Sequence, residues 1–269
     1  MAHLADLRLR VMTASIIGPA ALLCIWAGGA WWSALVLLCV AGLAWEWVRL
    51  CGGSTRRSPG PVVPAAAVLA ACLQILGWPM AALALLGVGA LLAWRLASDV
   101  PRGWLAFGVL YIGVAGMALL ELRHDGEAGR GNVIFLVLVV WASDVSAYFA
   151  GRFLGGPKLA PRISPNKTWA GALGGLLGAM AVGSAAALVL GGGSLGPIAL
   201  LAAMLGVASQ AGDMFESWIK RRFGVKDSSR LLPGHGGLLD RLDGVLAAAP
   251  VAALIGLAAG PGVQVWRWG

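Results

Sequence analysis

Charged side chains are scarce in this chain: Asp, Glu, Lys and Arg make up 12% of its 269 residues, against 59% that are apolar. Soluble domains carry about 25% charged residues, and a soluble fold of this size could not cover its exterior with so few. The chain has four Cys with no CxxC pair and only three His, which leaves neither a disulfide scaffold nor the ligand spacing of a zinc site. Its hydrophobicity excludes intrinsic disorder. The apolar segments are continuous runs without the alternation of barrel strands. What remains is an all-α, polytopic integral membrane helix bundle.

A spanning helix needs roughly 20 mainly apolar residues to cross a hydrocarbon core about 30 Å thick. Candidate spans are 11–28, 30–48, 61–77, 79–94, 104–122, 132–150, 168–191, 195–219 and 244–263. The sequence therefore predicts about nine transmembrane helices. Gly77, Trp78 and Pro79 make the turn between the third and fourth very tight, so eight crossings with one broken or re-entrant unit is the alternative. Arg8 and Arg10 precede the first apolar run, but the next run starts at Trp31, so the first reads as a retained helix and not as a cleaved signal. A compact chain without a targeting segment is expected in a bacterial inner membrane.

The cations set the orientation. With a cytoplasmic N-terminus and nine crossings, 17 of the 20 Lys and Arg fall on the inner side and only Arg123, Arg130 and Arg267 outside, as the positive-inside rule requires. The same distribution accounts for the net charge of +8 without a nucleic-acid partner, because the charges lie in every inner loop and not on one domain. Glycine is abundant, at 40 residues, which suits close helix approach and permits a homodimer.

Polar chemistry is confined to one half. Residues 1–131, where Glu46 near the end of the second span is the exception, read as transmembrane scaffold; 132–269 read as a catalytic region facing the cytoplasm. All four Lys (158, 167, 220, 226) sit in two inner segments of this half, and Lys is a compact charge suited to phosphate oxygens. Asp144 lies inside an apolar run, where a carboxylate is costly and marks function by default. Ser164, Asn166, Lys167 and Thr168 stand just before a new helix, either as an anion site or as an ordinary cap. Asp213, Glu216, Ser217 and Lys220 share one helix face. Asp240 and Asp243 sit one turn apart at the start of the last helix. Facing Asp213, they could hold one or two Mg²⁺, a hard cation that takes carboxylate and phosphate oxygens. In the loop between, His235, Gly236 and Gly237 follow Pro233 and Gly234, and the glycines let backbone N–H groups approach a phosphate.

The run 217–243, S-W-I-K-R-R-F-G-V-K-D-S-S-R-L-L-P-G-H-G-G-L-L-D-R-L-D, resembles the signature of the phosphatidate cytidylyltransferases, or CDP-diacylglycerol synthases. Gly212 and Asp213, the block 144–151 with Tyr148, and the block 164–168 are similar to that family too. Ala170 departs from it, since many members carry Glu there. The resemblance implies that phosphatidate and CTP give CDP-diacylglycerol and pyrophosphate. It puts Lys220, Arg221, Lys226, Asp227, His235 and Arg241 in catalytic positions, and Ser164, Asn166, Lys167, Thr168, Ser217, Gly236 and Gly237 in substrate contact. Mg²⁺ is then expected on Asp213, Asp240 and Asp243, with Asp144 or a second cation beside it. A CDP-alcohol phosphotransferase would share Asp240, Asp243 and Gly244, but its motif needs two later acids, and no acid follows Asp243. An ion-coupled transporter using Asp144 and Asp213 would predict paired broken helices in both halves, which the one-sided polarity does not match.

Overall fold

The computed structural model describes residues 2–98, 100–124, 126–229, 231, 232, 234 and 236–267, with side chains from Met12 onward except Ala14. Among these residues the chain forms nine α-helices: α1 (Ala2–Ala27), α2 (Gly29–Leu50), α3 (Val62–Ile75), α4 (Pro79–Leu96), α5 (Arg102–Leu122), α6 (Gly126–Phe153), α7 (Trp169–Val189), α8 (Leu195–Arg222) and α9 (Leu239–Ala259). Seven of them, α2 and α4–α9, are long and apolar enough to cross a membrane. Large apolar side chains such as Trp31, Leu38, Phe153 and Leu173 are exposed on their flanks, as lipid-facing surfaces require. The chain is a polytopic helical membrane protein.

Each helix covers one of the expected apolar runs, though α1, α6 and α9 begin several residues earlier than expected and α1, like α3, is not among the seven. α3 has only 14 residues, about 21 Å at 1.5 Å per residue, which is short of the core by length alone. The segment before α7, which the sequence offers as an anion site or an ordinary cap, pairs as a short antiparallel ribbon of β1 (Lys158–Ala160) and β2 (Ser164–Thr168). Pro165 lies within β2, a position that a two-stranded ribbon tolerates because an edge strand needs no donor on its outer side.

Packing divides the chain into two units, each built from separated stretches: Met1–Leu120 with Arg222–Leu242, and Glu121–Arg221 with Asp243–Gly269. These divisions fall elsewhere than the change of polarity at 131, because the loop after α8 folds onto the N-terminal helices. In the first unit Trp47 is fully buried. Its indole Nε1 donates to the Trp104 carbonyl at 2.7 Å, and its ring packs against Phe107 and Tyr111. In the second unit α6 and α7 meet along a seam of small residues. A Cβ on Gly178 would fall against the Ser146 side chain and 3.1 Å from the Ala142 carbonyl, so only glycine allows that approach. Gln210 on α8 pins the seam, donating to Ser143 Oγ and to the Ala172 carbonyl, each at 3.2 Å.

Candidate active site

The second unit gathers charge at the ends of apolar helices. The last turns of α8 carry Asp213, Glu216, Ser217 and Lys220, and the helical repeat stacks them on one face. Lys220 Nζ lies 2.8 Å from Glu216 Oε2, and Ser217 Oγ donates to Asp213 Oδ1 at 3.5 Å. Gly212 permits the next contact: a Cβ there would stand 2.5 Å from the Asp243 carbonyl oxygen and 2.7 Å from Ala247 Cβ. α9 therefore passes close beside α8. Asp243, whose Oδ1 accepts the Gly244 N–H at 2.8 Å, thereby joins the acids of α8. One carboxylate oxygen each from Asp213, Glu216 and Asp243 lie within 4.8 Å of one another.

Cations flank this trio. Lys167, from β2, places Nζ 2.5 Å from Asp213 Oδ2. Asp144, from α6, is near enough to Asp213 and Lys167 to interact electrostatically with both. The ribbon is what delivers Lys167. Thr168, the last residue of β2, caps α7 by accepting the Gly171 N–H on Oγ1 at 3.0 Å, so its hydroxyl serves the helix. Ser164 pairs with Ala160 in the ribbon, and Asn166 is exposed. The Arg221 Nε donates to the Ile163 carbonyl at 3.4 Å, tying the end of α8 to the ribbon turn. Three hard carboxylates with two ammonium groups suit a divalent cation and the phosphates it would share.

The first unit holds the signature loop. Glu46, wholly buried at the end of α2, accepts the backbone N–H groups of Leu238 and Leu239 at 2.8 and 2.7 Å. The Ser229 hydroxyl also donates to it. Ser228 Oγ lies 3.2 Å from Glu46 Oε2 and 3.1 Å from Asp240 Oδ2, its proton shared between the two carboxylates. Asp240 accepts in addition the N–H groups of Ser228 and Gly237, at 3.1 and 2.9 Å. A Cβ on Gly237 would meet Ser228 Oγ, with Asp240 Oδ2 and Glu46 Oε1 each 3.0 Å away, so the cage closes only around glycine. Gly236, at φ +84, exchanges both backbone hydrogen bonds with Leu232. Beyond the cage the loop walls a cavity of about 680 Å³ lined by Trp45, Arg49, Lys226, Asp227, Ser228 and Ser229. The Arg49 guanidinium stands over the Trp45 ring at 4.8 Å.

The structure thus brings Asp144, Lys167, Asp213, Ser217, Lys220 and Asp243 into one group. It adds Glu216, which the sequence placed on that face but not among the ligands. Asp240 differs from the expected metal pair with Asp243: its carboxylate is turned to Ser228 and Gly237, and it is absent from the acid trio. Lys226 and Asp227 are exposed on the cavity wall, and Arg241 is exposed. His235, like Arg230 and Pro233, lies outside the described residues. The sequence marks Glu46 as the exception in its half but gives it no role, because its partners are 182 to 193 residues away. The available signal was an acid alone in an apolar run.

Fold and polar groups together describe an integral membrane protein with acids and lysines clustered at the ends of its helices. Residues 8–258 match the model of the cytidylyltransferase family, and the chain belongs to that family. Its relatives include the phosphatidate cytidylyltransferase of Brucella abortus, 40% identical over 273 residues and 94% of each chain. That of Pseudomonas aeruginosa is 39% identical over 275 residues, covering 95% of this chain and 99% of the relative. That of Bacillus subtilis is 39% identical over 153 residues, 55% of each chain.

Proposed function

We propose that this enzyme condenses phosphatidate with CTP to give CDP-diacylglycerol and pyrophosphate in phospholipid biosynthesis. A phosphate oxygen of the lipid attacks the α-phosphorus of CTP and forms a new P–O bond. The bond from that phosphorus to the oxygen bridging the α- and β-phosphates breaks, and the electron pair leaves with pyrophosphate. The lipid phosphate is already anionic at neutral pH, so no side chain has to remove a proton. The difficulty is bringing two polyanions together, which positive charge and fixed positioning relieve.

The observation that carries this reading is the acid trio between two lysines, in a chain of this family. Asp213, Glu216 and Asp243 fit a divalent cation by donor type and by the 4.8 Å spread of their oxygens, and Mg²⁺ is the expected ion. Bound there, it would neutralise phosphate charge and supply Lewis acidity. Asp144 stands by as a further carboxylate for a second cation. Lys167, Lys220 and Arg221 face phosphate oxygens in this reading, with Ser164, Asn166 and Ser217 as hydrogen-bonding partners. In the loop, Lys226, His235 and Arg241 contact nucleotide or lipid phosphate and Asp227 the nucleotide, while the Gly236 and Gly237 amides are taken by Leu232 and Asp240 and shape the loop, and Thr168 keeps the Lys167 ribbon in register. The distribution of cations supports a cytoplasmic N-terminus, with the reaction on the cytoplasmic face of a bacterial inner membrane.

Label in the α-phosphate of CTP tests the reading. With the purified protein, Mg²⁺ and phosphatidate, α-label is expected in the lipid extract and γ-label in the aqueous phase. Lipid labelled from the γ-position would mean a kinase and overturn it.

A further inference from the structure

We infer that Glu46, on the second helix of the apparent scaffold half, is a positioning residue for the reaction: it fixes the loop that presents Lys226. This inference rests on the reaction proposed above, and names a residue outside the signature on which the signature depends.

Three features carry it. The first is cost: a carboxylate with no exposure at the end of an apolar helix is expensive unless fully hydrogen-bonded. Packing alone would have been served by an apolar residue of similar size. The second is completeness. Both oxygens are used, Oε1 by Leu238 N–H and the Ser229 hydroxyl, and Oε2 by Leu239 N–H and Ser228 Oγ. Two of these donors are the amides at the start of α9, which have no partner within the helix and are favoured by negative charge. The other two come from the far arm of the loop, so one carboxylate ties both ends of the loop 228–239 together. The third is placement. Trp45 and Arg49, one residue before and three after Glu46, line the same cavity as Lys226, Asp227, Ser228 and Ser229. α2 therefore holds the loop from beneath with Glu46 and walls the cavity with its neighbours. Lys226 is two residues from Ser228 and has no hydrogen bond or ion pair among the described residues, so its position follows from the Glu46 bonds.

Losing a hydrogen bond to a charged group weakens an interaction by roughly tenfold to a hundredfold. Glu46→Gln keeps the shape but replaces one accepting oxygen by a donor that cannot take the Leu238 or Leu239 N–H. The variant should raise the KM of whichever substrate Lys226→Ala affects, CTP or phosphatidate, by about tenfold or more, with kcat nearly unchanged. Combined with Lys226→Ala, it should add little further. Glu46→Asp, which keeps both acceptors, should recover part of the loss. A general loss of folded protein would instead lower kcat at unchanged KM, and that result would overturn the inference. So would a KM effect confined to the other substrate. Amide hydrogen exchange without substrate gives an independent readout: Leu238 and Leu239 should exchange faster in Glu46→Gln while the α6 and α7 amides do not change. If wild-type protein released no pyrophosphate, the proposed reaction would fail by itself. The anchoring would then stand or fall on the exchange rates, unchanged rates at Leu238 and Leu239 overturning it.

Discussion

Lys220 keeps only 12% of its side chain exposed and Glu216 only 4%, so their ion pair is buried. A buried pair is no bargain against a well-packed apolar pair, but removing one partner takes a neutralising charge from the other inside the protein. Lys220→Met should therefore destabilise the protein by about 3–5 kcal/mol, read from unfolding in detergent. Glu216→Gln combined with Lys220→Met should recover most of that loss. If the double variant were as unstable as Lys220→Met alone, the lysine would matter through packing and not through the pair. Cys51 is a plainer case: buried at the end of α2, its thiol is pushed up to about 12 by burial and stays protonated at neutral pH. It is packing, as the absence of any CxxC implied.

At the scale of elements, the α6–α7 seam bears most directly on the site, since it sets α6 against α7, which begins where the Lys167 ribbon ends. Gly178→Val would drive side-chain atoms into Ser146 and the Ala142 carbonyl. Overpacking of this kind costs about 1–3 kcal/mol, so its unfolding midpoint in detergent should fall. Gly87→Ala, in α4, where an added Cβ meets nothing within 4 Å, should not lower the midpoint and by helix propensity should raise it slightly. Equal effects of the two would contradict the seam. Elements also show what was legible in the sequence. Apolar runs gave the helices, because burial in lipid demands continuous hydrophobicity and nothing else in the chain supplies it. The face joining Asp213 to Lys220 followed from the helical repeat. The β1–β2 ribbon did not, because five residues with a proline carry no strand pattern. Nor did the cage of Glu46, Ser228 and Asp240, because nothing local at position 46 says that a loop some 180 residues later will close over it. Asp240, expected from the sequence as a metal ligand, accepts the Ser228 and Gly237 amides at the start of α9. Gly212 shows why Asp243 reaches the α8 acids, yet in a chain with 40 glycines no single one stands out.

For the whole molecule, apolar exterior and concentrated polar groups are two sides of one arrangement. A chain with so little charge gathers Asp144, Lys167, Asp213, Glu216, Lys220 and Asp243 within its second unit and leaves large apolar side chains exposed along its helices. The central claim is that this concentration serves cytidylyl transfer to a lipid phosphate, with Asp243 among the residues holding the cation. Pyrophosphate release by the detergent-purified protein, given Mg²⁺, CTP and phosphatidate beside the Asp243→Asn variant, tests it most directly. The account predicts release that requires both substrates and Mg²⁺, falling by roughly 10²–10³ in the variant. Release without phosphatidate, or a variant as active as the parent, would contradict it.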